Sequence, residues 1–160
     1  MRELSEQQIR SSFINVSQRE RANITMPKLG ELQWDRLEFL GWRDPRGGQV
    51  GWVLVEDGDD VIGIAVRQTD ARTTSRPQCS WCEDITLPND VVFFSARRAG
   101  HAGRNGDTVG ILACEQFECT TNVRRLGPLP YVGYDREAAR QRRIATLADR
   151  VLGFVREVQS

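Results

Sequence analysis

The firmest hydrophobic period lies at the C-terminal end of the chain. Ile144, Leu147, Ala148, Val151, Leu152, Val155 and Val158 recur at intervals of three and four, which places them on one face of a helix. Asp135 precedes this run as a cap, so a helix is predicted over about 136–158. Its other side carries Arg136, Arg140, Arg142, Arg143 and Arg150, a solvated basic face. At the N-terminal end, Ser5 and Gln8 form a capping-box pattern, and Ile9, Phe13 and Val16 share a face, predicting one amphipathic helix over 5–21.

Between these helices the pattern is β-like. Residues 49–56 and 61–68 are apolar on both alternating sets, which predicts two strands covered on both faces. The Asp57-Gly58-Asp59-Asp60 link makes them a hairpin. Residues 91–96 and 108–113 predict two further strands. The basic, glycine-rich stretch 97–106 lies between them as a loop, with Asn105-Gly106 as hairpin-turn chemistry. Residues 22–33, with Pro27 and Gly30, read as a connection, and residues 69–78 as a polar loop. Leu87-Pro88-Asn89-Asp90 reads as a turn. A short helix capped by Asp35 is predicted over 34–40, ending at Gly41, and Thr120–Arg125 reads as a short polar segment with strand character. Trp34, Phe39 and Trp42 are expected to pack in the core, as large aromatics beside short elements do in small domains. These elements predict an α+β fold: an antiparallel sheet of four to five strands, N-terminal helices and a C-terminal helix. We expect one domain over 1–160, with 1–33 as a helical appendage and 79–125 as the core of a metal site.

Composition narrows the function classes. With 22 basic and 22 acidic residues the formal net charge is zero, so nucleic-acid binding would need a local patch. The N-terminal residues lack the apolar run of a signal peptide, and no stretch approaches the roughly 18 apolar residues of a membrane span. A cytoplasmic location is expected, with no membrane role and with reduced thiols.

That changes the reading of the four cysteines. Cys79-Ser-Trp-Cys82 and Cys114-Glu-Gln-Phe-Glu-Cys119 are two close pairs separated by 31 residues. Each pair presents two thiolates from one tight turn, which points to a tetrahedral zinc site. Four thiolates close the coordination sphere, so the ion would be structural and could not activate water. A redox dithiol at Cys79 and Cys82 would need a helix starting at the motif, and the residues after Cys82 do not form one.

Little else suggests catalysis. His101 is the only histidine and reads as a hydrogen-bonding surface residue; no nucleophile, paired-carboxylate motif or phosphate-binding loop accompanies it. The chain is therefore expected not to be an enzyme. Arg97, Arg98 and Arg104, with Arg124 and Arg125 after the second cysteine pair, are expected to gather on one side of the metal. Two roles are open to them: compensating the −2 thiolate cluster, or forming a partner-binding patch.

From the first pair onward, Cys79-x-Trp81-Cys82, Val92 to Gly100 with Ala96-Arg97-Arg98-Ala99-Gly100, Gly103-Arg104-x-Gly106-x-Thr108-Val109-Gly110 and the Cys114–Cys119 pair together resemble the zinc-binding FBP domain. This is the C-terminal domain of FusB-type elongation factor G-binding proteins. The resemblance is sharpest over 79–125 and extends to the Trp34–Pro45 segment and the last helix. It implies a zinc finger on Cys79, Cys82, Cys114 and Cys119, one structural zinc ion, and elongation factor G, on or off the ribosome, as the partner. FusB-type proteins also carry an N-terminal helical bundle, whereas the 78 residues before Cys79 here are partly strand-like. The alternative is a ribosomal-RNA or other nucleic-acid binder using the arginines. Adhesion to fibronectin, a role once given to related sequences, conflicts with the absence of an export signal.

Overall fold

The computed structural model describes residues 1–70, 77–86 and 89–160. Five antiparallel strands form one sheet in chain order: β1 (Leu40–Arg43), β2 (Val50–Asp57), β3 (Asp60–Gln68), β4 (Val91–Arg97) and β5 (Thr108–Cys114). The expected α+β architecture is what is observed, at five strands. Strict alternation in β2 and β3 builds two cores. Val53, Val55, Ile62, Ile64 and Val66 face one way, toward the C-terminal helix α5 (Arg136–Gln159). Trp52 and Leu54 face the other way and pack with Ile9, Phe13, Ile24, Trp34, Leu40 and Trp42. The double cover expected from the apolar strands is therefore present. Trp34, Phe39 and Trp42 are all buried, as expected of core aromatics.

Four local readings need correction. The N-terminal helix is two helices, α1 (Glu6–Ser12) and α2 (Gln18–Ala22). A second capping box, Ser17 with Glu20, starts a new helix, and Phe13 is extended, forming a parallel bridge to Gly63. The expected helix over 34–40 is a single 3₁₀ turn at Trp34–Arg36, and Gly41 lies inside β1. Leu40 and Trp42 point to the same face and pair across the ladder with Leu54 and Trp52, a contact that a helix could not make. The basic loop contains a short helix, α3 (Gly100–Arg104). The segment after the second cysteine pair is α4 (Cys119–Arg124), which buries Cys119, Asn122 and Val123 on one side. The polar loop 69–78 and the turn 87–90 lie partly outside the described residues.

The sheet is pinched between β3 and β4. Only Arg67↔Ser95 and Gln68↔Phe94 pair there, whereas β2 and β3 pair over eight positions. Beyond the pinch, Asn15 takes over. Its Nδ2 donates to the carbonyls of Ala65 (2.9 Å) and Arg97 (2.8 Å), and its Oδ1 accepts from the Ala65 amide (2.8 Å). One side chain thus satisfies three backbone groups left open where the ladder separates. The β4–β5 hairpin, seven pairs long, carries the cysteine pairs at one end.

Candidate metal centre

Three elements place the four cysteines. Cys79 and Cys82 lie on a turn whose backbone closes through a Glu83 amide to Cys79 carbonyl bond of 3.0 Å. Glu83 itself has a left-handed backbone (φ 49°). The turn is fastened to the sheet by the Ser80 amide, which donates to Leu112 O at 2.8 Å. Cys114 ends β5, and Cys119 opens α4. Between them Phe117 is also left-handed (φ 60°), which reverses the chain so that both sulfurs face the same point.

The four sulfurs lie within 4.8 Å of one another and all four residues are buried. Cys79 and Cys119 Sγ are 3.6 Å apart, and Cys82 and Cys114 Sγ are 3.7 Å apart. Tetrahedral Zn–S bonds of about 2.3 Å require S···S separations of about 3.8 Å, so the donor set fits zinc. Without a cation, four crowded thiols compete for the same protons. Hydrogen bonds from Cys114, Cys119 and Cys82 hold the Cys79 thiol far below its ordinary value, while Cys119, beside Cys114 and Cys79, is pushed well above its own. A divalent cation removes this conflict by letting all four ionise. Zinc there supplies a structural cross-link joining the turn, β5 and α4.

The surroundings of the sulfurs were only partly legible. Asn122, fully buried, points its Nδ2 at Cys114 Sγ (3.5 Å), Cys82 Sγ (3.8 Å) and Asn89 Oδ1 (3.2 Å). An N–H aimed at thiolate offsets part of the cluster's negative charge. The signal was its position three residues after Cys119, on the same helical face. Trp81, between the first two cysteines, is the largest fully buried side chain. It meets Phe39 and Phe154 edge-on, with centroids at 5.3 and 5.9 Å, tying the turn to the residue that precedes β1 and to α5. Phe117 stacks on Phe94 at 5.2 Å and lies over Gly41 and Gly51, where an added Cβ would come within 2.7 and 2.6 Å of it.

The five nominated arginines form two groups. Arg97 lies at the Thr108 end of the β4–β5 hairpin, six residues from the Val91–Cys114 pair beside the metal, or about 20 Å. Arg98 and Arg104 are at that distant end too. Arg98 is held by the carbonyl of Glu157 and by Ser160 Oγ at the end of α5. Arg124 and Arg125 are on the metal side, at the end of α4. Arg124 forms a two-bond pair with Glu38 (2.6 and 2.5 Å), while Arg125 is exposed. They do not gather on one side of the metal, because the hairpin's length separates them. His101 is exposed and hydrogen-bonds Asn105 at 3.1 Å.

The Gly100-x-x-Gly103 spacing has a structural explanation. Gly100 adopts φ +64°, and a Cβ on Gly103 would fall 1.8 Å from the Arg98 carbonyl oxygen.

A turn with two cysteines, a β-hairpin and a helix opening on a cysteine make up a treble clef. The FBP C-terminal treble-clef zinc-finger family model matches residues 8–158. Among solved structures, that of the fusidic acid resistance protein FusC is similar at a TM-score of 0.56 and 18% identity, over 76% of this chain and 53% of that one. The chain thus spans about half the length of FusC, and at this identity the likeness is one of fold. A comparison with curated protein sequences gave no match. With the matched family spanning nearly the whole chain and four converging thiols in place, this chain belongs to the FBP C-terminal treble-clef zinc-finger family.

Proposed function

We propose that this chain is a non-enzymatic cytoplasmic zinc protein that binds translation elongation factor G and modulates its release from the ribosome. The partner is suggested by family membership and by the fold shared with a fusidic acid resistance protein. The observation that carries a protein-binding role is the placement of apolar surface. Among the described residues, the large hydrophobics that are exposed, Ile85, Leu126, Leu129, Tyr131 and Val132, all follow one of the two cysteine pairs. A cavity of about 540 Å³ lies between the Trp81–Glu83 turn, the 127–134 segment that carries Leu129, Tyr131 and Val132, and the first half of α5, lined by Pro128, Pro130 and Tyr134 rather than by the exposed apolar side chains themselves. Arg136, Arg142, Arg143 and Arg150 line its helical side. Exposed apolar side chains rimmed by cations fit a protein surface bearing apolar and acidic groups.

Of the nominated arginines, Arg125 belongs to this end, and Arg97, Arg98 and Arg104 to the other. Calorimetric titration of the zinc-loaded chain with its cognate elongation factor G should show binding. Leu129→Asp with Val132→Asp should weaken it at least tenfold without changing the circular dichroism. Arg125→Glu should weaken it more than Arg104→Glu does. Absence of any binding by the wild-type chain would sink the proposal. Tighter binding to ribosomal RNA, with steep salt dependence, would favour the nucleic-acid reading instead.

A further inference from the structure

A second cavity, of about 340 Å³, opens on the opposite face of the sheet, between α2, the turn after β1 and the pinch between β3 and β4. It is of a size that takes a small ligand. Its lining contains four arginines, Arg19, Arg46, Arg67 and Arg97, against two carboxylates, Asp44 and Glu20, which leaves a formal charge of +2. Both carboxylates are engaged. Asp44 receives Arg46 Nε and Nη2 at 3.0 and 2.7 Å, and Glu20 accepts the Ser17 amide at 2.8 Å in the capping box. Among the described residues, the guanidinium groups of Arg19, Arg67 and Arg97 have no hydrogen bond and no ion pair.

Arg67 and Arg97 are arranged as a fork. Arg67 opposes Ser95 across the ladder, and Arg97 follows Ser95 by two positions, so both stand on the same face as diagonal neighbours. In a continuous ladder diagonal positions are about 7–8 Å apart; here the strands part beyond Ser95, and the long arginine side chains span the wider gap toward one phosphoryl group. The remaining wall is apolar, with Val16, Val50 and Trp52. Trp52 is 5% exposed, and its buried indole N–H is directed at the Asp44 carboxylate.

We propose that this cavity binds a small phosphate monoester, with its phosphoryl group on Arg67 and Arg97 and its organic body against Val16, Val50 and Trp52. Glu20 is the group with which the phosphoryl oxygens compete, since its carboxylate lies in the field of Arg97 and Arg67. This site is separate from the apolar surface by the zinc turn and does not depend on the elongation factor reading.

Calorimetry of the full zinc-loaded chain tests it, with purine and pyrimidine nucleoside monophosphates and sugar phosphates as probes. Adenosine, inorganic phosphate and single-stranded RNA serve as controls. At least one monoester should bind ten times more tightly than both its dephosphorylated body and inorganic phosphate. Arg67→Gln with Arg97→Gln should weaken that binding at least tenfold, whereas Glu20→Gln, which keeps the capping acceptor, should strengthen it several-fold. Circular dichroism and zinc content should be unchanged in both variants. Absence of monoester binding at millimolar concentration would overturn the proposal. So would equal affinity for inorganic phosphate, insensitivity to the arginine substitutions, or preferential binding of RNA.

Discussion

At the scale of single residues, the metal's surroundings matter as much as the cysteines. Asn122 aims one N–H at two sulfurs from a fully buried position, so Asn122→Ala removes the charge compensation but no ligand. We expect zinc affinity to fall roughly 10- to 100-fold, as when the partners of metal ligands are lost elsewhere, measured by competition with a chromogenic chelator. Unchanged affinity would show that the contact is only steric. Asp44 gives a pH prediction. Hydrogen bonds from Arg46 lower its folded-state pKa below the ordinary 3.8, despite burial acting the other way. The folded state therefore favours the charged form. Its contribution is complete above about pH 4 and is lost as pH falls through the lowered value. Asp44→Asn should flatten the acid limb of a melting-temperature profile, by about 1 kcal/mol at most for a pair whose arginine is exposed.

At the scale of elements, Phe117 is the pin that joins the second cysteine pair to the sheet. It stacks on Phe94 of β4 and rests on the two glycines that keep β1 and β2 low beneath it. Phe117→Ala should cost about 3–5 kcal/mol, as for other buried aromatics. Gly51→Val should displace the ring and destabilise by a similar mechanism; both are read by denaturant midpoints. This pin also marks the limit of what the sequence discloses. The long helix, the β2–β3 and β4–β5 hairpins and the four ligands were legible because each follows from local period or spacing. Phe117 sits in a polar clip, and only the fold shows which glycines it covers. The break at Phe13, β1 and α4 were misread for a related reason. Pairing with Gly63, pairing with Trp52 and Leu54, and delivery of Cys119 to the metal are tertiary demands that override local propensity. Arginine clustering failed likewise, since proximity in sequence says nothing of which end of a 20 Å hairpin a residue occupies.

For the whole molecule, two cores share one sheet but differ in what supports them. The α5 side contains the four cysteines, Trp81 and Phe117, so the metal is part of that core. The other side contains no cysteine, and the backbones of the two halves of the sheet are joined chiefly by two ladder pairs and the Asn15 clamp. Zinc binding worth roughly 10–16 kcal/mol rivals the stability of a whole small domain. A strong chelator should therefore release β4, β5 and α4 first. Hydrogen exchange would show their amides losing protection while α1, β1 and the outer part of β2 respond later. Simultaneous loss everywhere would mean that the pinch transmits the whole transition. The tryptophans divide along the same boundary. Trp34, Trp42 and Trp52 belong to the metal-free core, and Trp81 alone lies within the other. Intrinsic fluorescence is thereby sorted by location: a Trp81→Phe chain emits only from one side of the sheet. Cobalt in place of zinc would quench chiefly the emission that this variant lacks, giving each core a separate optical record of its own unfolding.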